Sequence, residues 1–460
     1  MKTKRFFSFF LILALALVLC LPVAAAGTDS EAVLPEDPNI LAKAALLIDL
    51  ETGAVAYAKN EHQELYPASL TKIMTALLVL EAVDEGKITM EQELTASSSA
   101  LSGLPYDGSN AGIKVGEIMS VQNLLYCMLV VSANEACNIL AEGVSGSIGA
   151  FVEKMNARAA ELGCVNTHFV NTNGLHDPQH YTSAWDIYLI TQEALTHTDF
   201  MTICNTANVV IPATNMSSAR NYWTTNHLLA TWRVIGYRNR EAMGIKTGST
   251  SDAGYCLVSS AARGSLHFLS VILGAERVEE NGVGNIRSFS ETTRMFNYGF
   301  DNFTYKTIIE KQEPIQEISV SLSEMDHVTV HPARSIEVLI PKGLEPEHLE
   351  RTVTLYADPV EAPVAEGAVL GTLTLHYDGV EYGTVELLAS HNVEASQKLI
   401  FYRDVQAFFS NRTVHIVAVA VVILILLIIL LVVIFGRSRR RYGRSSMRRG
   451  HSGYRGRKRR

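Results

Sequence analysis

Ser69 and Lys72 stand three residues apart at the start of an apolar run in this chain. Pro67 precedes them, and proline suits the first turn of a helix because its missing N–H would have no partner there. The apolar residues 73–80 favour a helix, on which positions three apart share a face. We therefore expect Lys72 to lie beside the Ser69 hydroxyl at the positive end of a helix.

Such a pair could perform nucleophilic catalysis. A serine hydroxyl becomes reactive when a neighbouring group takes its proton, and a lysine amine does so when burial or another cation lowers its pKa. Free N–H groups at the helix N-terminus could stabilise an oxyanion. The Ser-x-x-Lys pattern alone is weak evidence, because most such pairs lie on a solvated helix face.

A second stretch, Ser132-Ala133-Asn134, is a polar break between two apolar segments of helical spacing, 121–131 and 135–142. Such a break could present side chains to a cleft. Ser132 could relay a proton, and Asn134 could hydrogen-bond a substrate amide or hold Lys72. The alternative is that Ser132 and Asn134 only cap the second helix.

A third stretch, Lys246-Thr247-Gly248-Ser249, precedes two runs of strand character, 254–261 and 266–274. At a sheet edge it offers a cation, a hydroxyl and a backbone that a ligand can approach closely. An edge strand can also pair with an extended substrate peptide. The alternative is an ordinary turn with an exposed lysine.

Taken together and in this order, the three stretches resemble the penicillin-recognising serine hydrolases. More narrowly, the chain is similar to the low-molecular-mass penicillin-binding proteins that are serine-type D-Ala-D-Ala carboxypeptidases. The resemblance covers about residues 44–300 and includes Asn173-Gly174-Leu175 and His180-Tyr181-Thr182. Family members commonly carry Ser-Gly-Asn where this chain has Ser132-Ala133-Asn134.

The resemblance implies an α/β (α+β) fold of the penicillin-binding, β-lactamase-like transpeptidase type. A central antiparallel sheet would be flanked by helices. A small all-β domain would follow, and one C-terminal transmembrane helix would complete the chain.

The same resemblance implies roles for the candidate residues. Ser69 would be the nucleophile, Lys72 the general base and Ser132 the proton relay, while Asn134 orients the substrate amide. The substrate would bind at Lys246-Thr247-Gly248-Ser249, where Lys246 with Thr247 receives the terminal carboxylate. The N–H groups of Ser69 and Ser249 would form the oxyanion hole, and Arg287 is a further candidate for the carboxylate.

The implied substrate is a peptidoglycan stem pentapeptide ending in D-Ala-D-Ala, and β-lactam antibiotics would acylate Ser69. No metal or organic cofactor is implied. Two alternatives stay open: an exported β-lactamase or esterase, and a non-catalytic receptor with the same fold. Some β-lactamases position a deacylating water with a glutamate, and the candidate here, Glu161, lies in a predicted helix. We therefore expect slow release of a bound β-lactam.

The charge of the chain is unevenly distributed. The last 24 residues hold twelve Lys and Arg and no acid, and three more basic residues lie among residues 2–5. The body between them keeps all 47 Asp and Glu against 24 Lys and Arg, a formal charge of −23. An acidic body argues against nucleic-acid binding.

Composition also predicts the organisation of the chain. A basic start, a short apolar run and small residues indicate a secretory signal peptide, and a later 22-residue uncharged apolar run is long enough to span a membrane. By the positive-inside rule the basic tail would be cytoplasmic, so the catalytic domain would lie on the outer face of the cell membrane. The predicted segments are a signal peptide (1–26), a linker (27–40), the carboxypeptidase domain (41–305), a small β-domain (312–392), a connector (393–412), a transmembrane helix (413–435) and the tail (436–460).

Five cysteines follow Cys20, and they contain no Cys-x-x-Cys pair. An odd number argues against a disulfide framework and favours buried free thiols. A single bridge, for instance Cys127–Cys137, stays open.

Overall fold

The computed structural model describes residues 34–232, 234, 236–280 and 283–442. The predicted signal peptide lies outside the described residues, as do part of the linker and residues 443–460 of the tail. The described chain divides into two compact units. The first comprises residues 34–308 and Glu337–Glu350, and the second comprises Ile309–Ile336 and residues 351–442.

The elements of the chain are numbered here in order. The strands are β1 (Ala44–Asp49), β2 (Val55–Lys59), β3 (Glu93–Thr95), β4 (Ile118–Ser120), β5 (Asn208–Ile211), β6 (Arg220–Trp223), β7 (Ala242–Thr250), β8 (Gly254–Arg263), β9 (Leu266–Ala275), β10 (Arg277–Glu280), β11 (Val283–Ile286), β12 (Phe303–Ile309), β13 (Gln316–Ser321), β14 (His327–Pro332), β15 (Ile336–Pro341), β16 (Glu350–Leu355), β17 (Val360–Glu361), β18 (Val369–Tyr377) and β19 (Val380–Ala389). The helices are α1 (Lys72–Asp84), α2 (Ser98–Leu101), α3 (Val121–Val130), α4 (Asn134–Ser145), α5 (Ile148–Glu161), α6 (Ala184–Ala194), α7 (Thr198–Cys204), α8 (Arg287–Asn302), α9 (Gln397–Ser410) and α10 (Arg412–Tyr442), with 3₁₀ turns at Ala68–Thr71 and Pro346–His348.

An antiparallel sheet in the order β2-β1-β9-β8-β7 forms the centre of the first unit. Successive side chains of a strand point to opposite faces, and β1 is buried on both. Leu46 and Ile48 belong to the larger hydrophobic core, whereas Ala45 and Leu47 belong to a second core. The sheet is therefore covered on both faces, as the resemblance implied.

Helices cover each face of this sheet. The larger core contains residues of α1, α3, α4, α5, α6 and α7, whereas the second core contains the aromatic residues Phe296 and Phe300 of α8 packed near Phe268 of β9. Helix α1 is buried almost all round from Lys72 to Leu80. Its N-terminus lies next to β7, the edge strand that holds the third predicted stretch.

The second unit contains a sheet in the order β16-β18-β19-β14-β13-β17. Strands β18 and β19 form a hairpin that turns at Asp378-Gly379, since Tyr377 pairs with Val380. The small all-β domain is thus confirmed. Strand β15 pairs with β12 in a separate two-stranded sheet. The exact domain boundaries stay a prediction.

The described chain ends in two helices. Residues Arg412–Phe435 of α10 form one helix long and apolar enough to cross a membrane, with a mean hydropathy of 3.9 over its most apolar 18 residues. This is the segment in which the sequence predicts a transmembrane helix at 413–435, and it is compatible with membrane anchoring. The predicted connector, 393–412, contains α9.

The five described cysteines, Cys127, Cys137, Cys164, Cys204 and Cys256, are free and buried. The prediction of buried free thiols is confirmed, and the Cys127–Cys137 bridge is wrong.

Candidate active site

Ser69 lies on the 3₁₀ turn Ala68–Thr71, directly before α1. Ala68 has a φ of +48°, which is uncommon for a residue with a side chain. Gly174 has a φ of +85°, and a Cβ there would lie 1.8 Å from the carbonyl oxygen of Ala68. Only glycine fits such a close approach, so the loop that holds Gly174 braces the turn that presents Ser69.

Lys72 is the first residue of α1 and is fully buried. Its Nζ lies 2.9 Å from Ser69 Oγ, 2.8 Å from Asn134 Oδ1 and 2.6 Å from the carbonyl oxygen of Asn173. The two carbonyl oxygens can only accept hydrogen bonds. A neutral amine that donates to both therefore directs its lone pair at the Ser69 hydroxyl. Burial lowers the pKa of Lys72, which favours this neutral form.

Ser132 and Asn134 lie at the break between α3 and α4, and both are buried. The N-cap of α4 is Ala133, and it makes no side-chain capping bond. The capping alternative is therefore wrong for this helix. Ser132 has a backbone φ of +70°. Residues held in this uncommon backbone conformation are typical of functional sites.

Lys246, Thr247, Gly248 and Ser249 all belong to edge strand β7, so the ordinary-turn alternative is wrong. Lys246 is buried and donates to Ser132 Oγ at 3.0 Å and to the carbonyl oxygen of Thr247 at 2.8 Å. Burial, and then repulsion from Lys72 when that amine is protonated, lower the pKa of Lys246 to about 7. A hydrogen bond of 2.6 Å joins Thr247 Oγ1 to Thr225 Oγ1.

A cavity of about 510 Å³ opens over these groups and is lined by Ser69, Ser132, Thr247, Gly248 and Ser249. A Cβ on Gly248 would lie 3.0 Å from both the Pro67 carbonyl oxygen and the Ser69 nitrogen. The absence of a side chain there lets β7 approach the Ser69 turn closely. The folded chain thus gathers all three predicted stretches around one cavity.

Arg287 is placed differently from the other candidates. It is the first residue of α8, and its Nη1 lies 4.0 Å from Glu276 Oε2. Among the described residues, Arg287 does not line the cavity, although its neighbours Ile286 and Ser288 do, and so does Arg277. A contact between Arg287 and a substrate carboxylate stays a prediction.

His180 connects the loop after α5 to the nucleophile turn. Val170 N–H donates to His180 Nδ1 at 3.1 Å, so Nε2 carries the proton and donates to Thr71 Oγ1 at 2.7 Å. Thr71 Oγ1 in turn donates to the Ala68 carbonyl oxygen at 2.9 Å. Burial lowers the pKa of His180 to about 4, which keeps the ring neutral.

Sequence reasoning assigned no role to several groups of the site. Thr225 follows a short strand of mixed polarity, so no pattern marks it. The Asn173 group that accepts a hydrogen bond from Lys72 is the backbone carbonyl, and side-chain motifs cannot reveal such a contact. Gly174 lies in Asn173-Gly174-Leu175, one of the stretches that carry the family resemblance. The sequence did not show which atoms this glycine approaches.

A buried lysine with a lowered pKa beside a serine, at the edge of an antiparallel sheet between helices, defines a serine hydrolase of the penicillin-binding fold. The family model described as D-alanyl-D-alanine carboxypeptidase matches residues 31–277. A second model, described as the C-terminal domain of penicillin-binding protein 5, matches residues 303–395. The chain belongs to the D-alanyl-D-alanine carboxypeptidase family.

Individual relatives agree with this assignment. D-alanyl-D-alanine carboxypeptidase DacF from Bacillus subtilis is 32% identical over 360 residues, which cover 78% of this chain and 86% of the relative. DacC from Escherichia coli is 31% identical over 78% of this chain and 86% of its own length. The crystal structure of penicillin binding protein 5 from Haemophilus influenzae matches with a TM-score of 0.62 and 29% identity, over 79% of this chain and 99% of that one.

Proposed function

We propose that this serine carboxypeptidase removes the terminal D-alanine from peptidoglycan stem pentapeptides through an acyl-enzyme on Ser69. The observation that carries the proposal is the position of the Lys72 amine. It is buried, held by two carbonyl oxygens and 2.9 Å from the Ser69 hydroxyl. A base held in this way takes the proton as the bond to the substrate forms.

In the first step, Ser69 Oγ attacks the carbonyl carbon between the two D-alanines, and its proton passes to Lys72 Nζ. The developing oxyanion is stabilised by the N–H groups of Ser69 and Ser249, which line the cavity. Asn134 holds Lys72 through Oδ1 and orients the substrate amide through its side-chain nitrogen.

The leaving D-alanine needs a proton on its nitrogen. Ser132 is suited to relay to it the proton that Lys72 took from Ser69, because the Ser132 hydroxyl lines the cavity and is held by a hydrogen bond from Lys246. Lys246 and Thr247 bind the terminal carboxylate, and Arg287 is a further candidate for this contact. Water then attacks the acyl-enzyme and releases the shortened peptide.

β-lactam antibiotics carry a carboxylate and a strained amide, and we propose that they acylate Ser69 in the same way. None of the described residues that line the cavity is Asp or Glu. Glu161 ends α5, and its side chain is 67% exposed and pairs with Arg158. The described lining of the cavity therefore offers no carboxylate to activate a water, which argues for slow deacylation and against a β-lactamase.

We further propose that the chain is a single-pass protein of the cell membrane, with the catalytic domain on the outer face and the basic tail in the cytoplasm. The apolar helix Arg412–Phe435 and the twelve basic residues after it support this orientation. An epitope tag at the C-terminus should resist protease in intact spheroplasts and be removed after lysis. Removal of the tag from intact spheroplasts would contradict the orientation.

The catalytic proposal is tested by D-alanine release from a pentapeptide ending in D-Ala-D-Ala. The wild type should release D-alanine and form a long-lived adduct with labelled penicillin, whereas Ser69→Ala should do neither. Equal release by both proteins would exclude Ser69 as the nucleophile. Rapid turnover of penicillin would favour a β-lactamase.

A further inference from the structure

A second, smaller cavity lies near the active-site cavity on the first unit. Its volume is about 230 Å³. Three parts of the chain meet there: Tyr66 from the segment before the nucleophile turn, Pro178 and Tyr181 from the loop after α5, and Asp252 from the turn between β7 and β8. The catalytic proposal uses none of these residues, so it leaves this cavity without a role.

Short stretches of chain connect the second cavity to the catalytic groups. Tyr66 precedes Ser69 by three residues and Asp252 follows Ser249 by three, and three residues span at most ~10 Å. Cys256, which lines the active-site cavity, has its Sγ 3.8 Å from the carbonyl oxygen of Tyr66. The two cavities are therefore neighbours at the C-terminal end of β7.

The direction of the bound peptide decides which of its residues reaches this end of β7. The inference rests on the proposed function, in which Thr247 helps to bind the terminal carboxylate and Ser249 belongs to the oxyanion hole. The peptide then runs antiparallel along edge strand β7, and its earlier residues continue past Thr250 towards Asp252. The residue directly before D-Ala-D-Ala lies one step of ~3.8 Å further along, and a four-carbon side chain with its amine adds about 6 Å. That reach matches the distance to the second cavity.

The walls of the second cavity suit an aliphatic stem. The ring of Tyr66 meets the ring of His176 edge-on, with centroids 4.7 Å apart. Tyr181 exchanges two backbone hydrogen bonds with His168, of 2.9 and 3.1 Å, which fix its position. The methylene groups of a long side chain can pack along such rings while its polar end stays accessible to water.

The second cavity is also acidic. Its described lining includes two carboxylates, Glu64 and Asp252, and one cation, Lys43. Asp252 Oδ2 accepts a hydrogen bond of 2.9 Å from Ser251 Oγ and lies 3.9 Å from His176 Nδ1. Both contacts use Oδ2, and Oδ1 accepts no hydrogen bond from a described residue. An ammonium group can therefore bind Asp252 without breaking a hydrogen bond.

We propose that Asp252, with Glu64, binds the amine of a diamino residue that directly precedes D-Ala-D-Ala. The aliphatic stem of that residue packs against Tyr66, and its ammonium group bonds Asp252 Oδ1. The subsite selects a diamino residue over a neutral or acidic one, because only a cation complements the two carboxylates.

The experiment uses the full chain in detergent and three pentapeptides that end in D-Ala-D-Ala. They differ only in the preceding residue, which is L-lysine, Nε-acetyl-L-lysine or L-norleucine. The wild type should show a kcat/KM about three- to tenfold higher for the lysine peptide than for either uncharged peptide. In Asp252→Asn the ratio should fall to within about twofold of one, and Asp252→Lys should make the lysine peptide the poorest substrate. The ratio compares substrates on the same variant, so it does not depend on how much of that variant is folded.

Asp301→Asn is the matched control. Asp301 is an exposed carboxylate that pairs with Arg263, and it belongs to the described lining of neither cavity. This variant should keep the wild-type ratio. Equal kcat/KM values for the three peptides in the wild type, or an unchanged ratio in Asp252→Asn, would overturn the inference.

A binding measurement separates this inference from the catalytic proposal. Ser69→Ala has no nucleophile, so it reports binding alone, and fluorescence anisotropy gives its Kd for labelled lysine and acetyl-lysine peptides. The lysine peptide should bind several-fold more tightly, and adding Asp252→Asn should remove the difference. This result supports the inference even if the wild type cleaves neither peptide, in which case the catalytic proposal alone fails. Equal Kd values would overturn the inference even if the wild type releases D-alanine from both.

Discussion

At the residue scale, the hydrogen bonds of Lys72 favour an unprotonated amine. Two of its three partners are carbonyl oxygens, so the third position is where a neutral amine accepts the Ser69 proton. Burial lowers the pKa of Lys72 in the same direction. The activity should therefore rise with pH through a pKa well below that of an ordinary lysine.

Lys72→Arg should reduce both penicillin acylation and D-alanine release by about 10²- to 10⁴-fold, because a guanidinium does not lose its proton. The acylation rate is measured with labelled penicillin in stopped flow. The matched control is Lys87→Arg, since Lys87 is exposed and pairs with Glu85. Full acylation activity of Lys72→Arg would exclude Lys72 as the base.

Lys246 should make carboxylate binding sensitive to pH. Because its pKa is lowered to about 7, the free enzyme loses this cation as the pH rises through 7. The ratio of acylation rates for a penicillin and its methyl ester should therefore fall between pH 6 and pH 8.5, since only the free acid needs the cation. A ratio that does not change over this range would show that Lys246 is not the pH-sensitive receptor of the carboxylate.

At the element scale, the site depends on how closely loops and strands approach the turn before α1. Gly174→Ala should strongly destabilise the protein and abolish acylation, because its Cβ would overlap the Ala68 carbonyl oxygen. Gly163→Ala is a matched control: its φ is +80°, but a Cβ there meets no atom within 4 Å. The control should cost only about 1 kcal/mol of backbone strain. Thermal unfolding and penicillin labelling measure the difference, and equal effects of both changes would contradict the proposed brace.

His180 should make the first unit sensitive to acid. Its pKa is lowered from 6.5 to about 4 in the folded protein, so between these values the unfolded chain binds a proton that the folded protein does not. Stability is then complete above pH 6.5 and falls by about 3 kcal/mol as the pH drops to 4.

Urea unfolding followed by tryptophan emission measures this loss, because all three tryptophans lie in the first unit. His180→Gln should be less stable than the wild type at pH 7 and should lose less on acidification. The control is His168→Gln, since His168 is only partly buried and bonds the Gln179 carbonyl oxygen. An identical pH dependence of wild type and His180→Gln would contradict this account.

The sequence predicted those elements whose signal is local and strong. Strands β8 and β9 were predicted because their apolar runs are long, and the motif residues because each motif is a few residues of continuous chain. Hairpin β5–β6 and strand β14 were not predicted, since each is short and of mixed polarity. The bond from Lys72 to the Asn173 carbonyl oxygen was beyond sequence reasoning, because it depends on the path of the backbone over 101 residues.

At the scale of the whole molecule, catalysis and anchoring belong to separate parts of the chain. Every described residue that lines the active-site cavity precedes residue 290 and lies in the first unit. The helix proposed as the anchor lies in the second unit and exposes apolar side chains along its length. This separation allows the anchor to be removed without changing the site.

A chain that ends at residue 396 should therefore behave as a soluble enzyme. It lacks α10, whose 24-residue apolar segment is ~36 Å long and exceeds the ~30 Å hydrocarbon layer. It also lacks α9, which exposes the aromatic residues Phe401, Tyr402, Phe408 and Phe409. After alkaline carbonate extraction the full chain should stay in the membrane pellet, whereas the shortened chain should be in the supernatant. Its kcat/KM for a soluble pentapeptide should stay within about twofold of the full chain, because no cavity residue is lost.

A chain that ends at residue 411 retains α9 and tests whether that helix alone holds the protein in the membrane. If α10 is the anchor, carbonate should extract this chain too. Retention of both shortened chains in the pellet would place the anchor elsewhere.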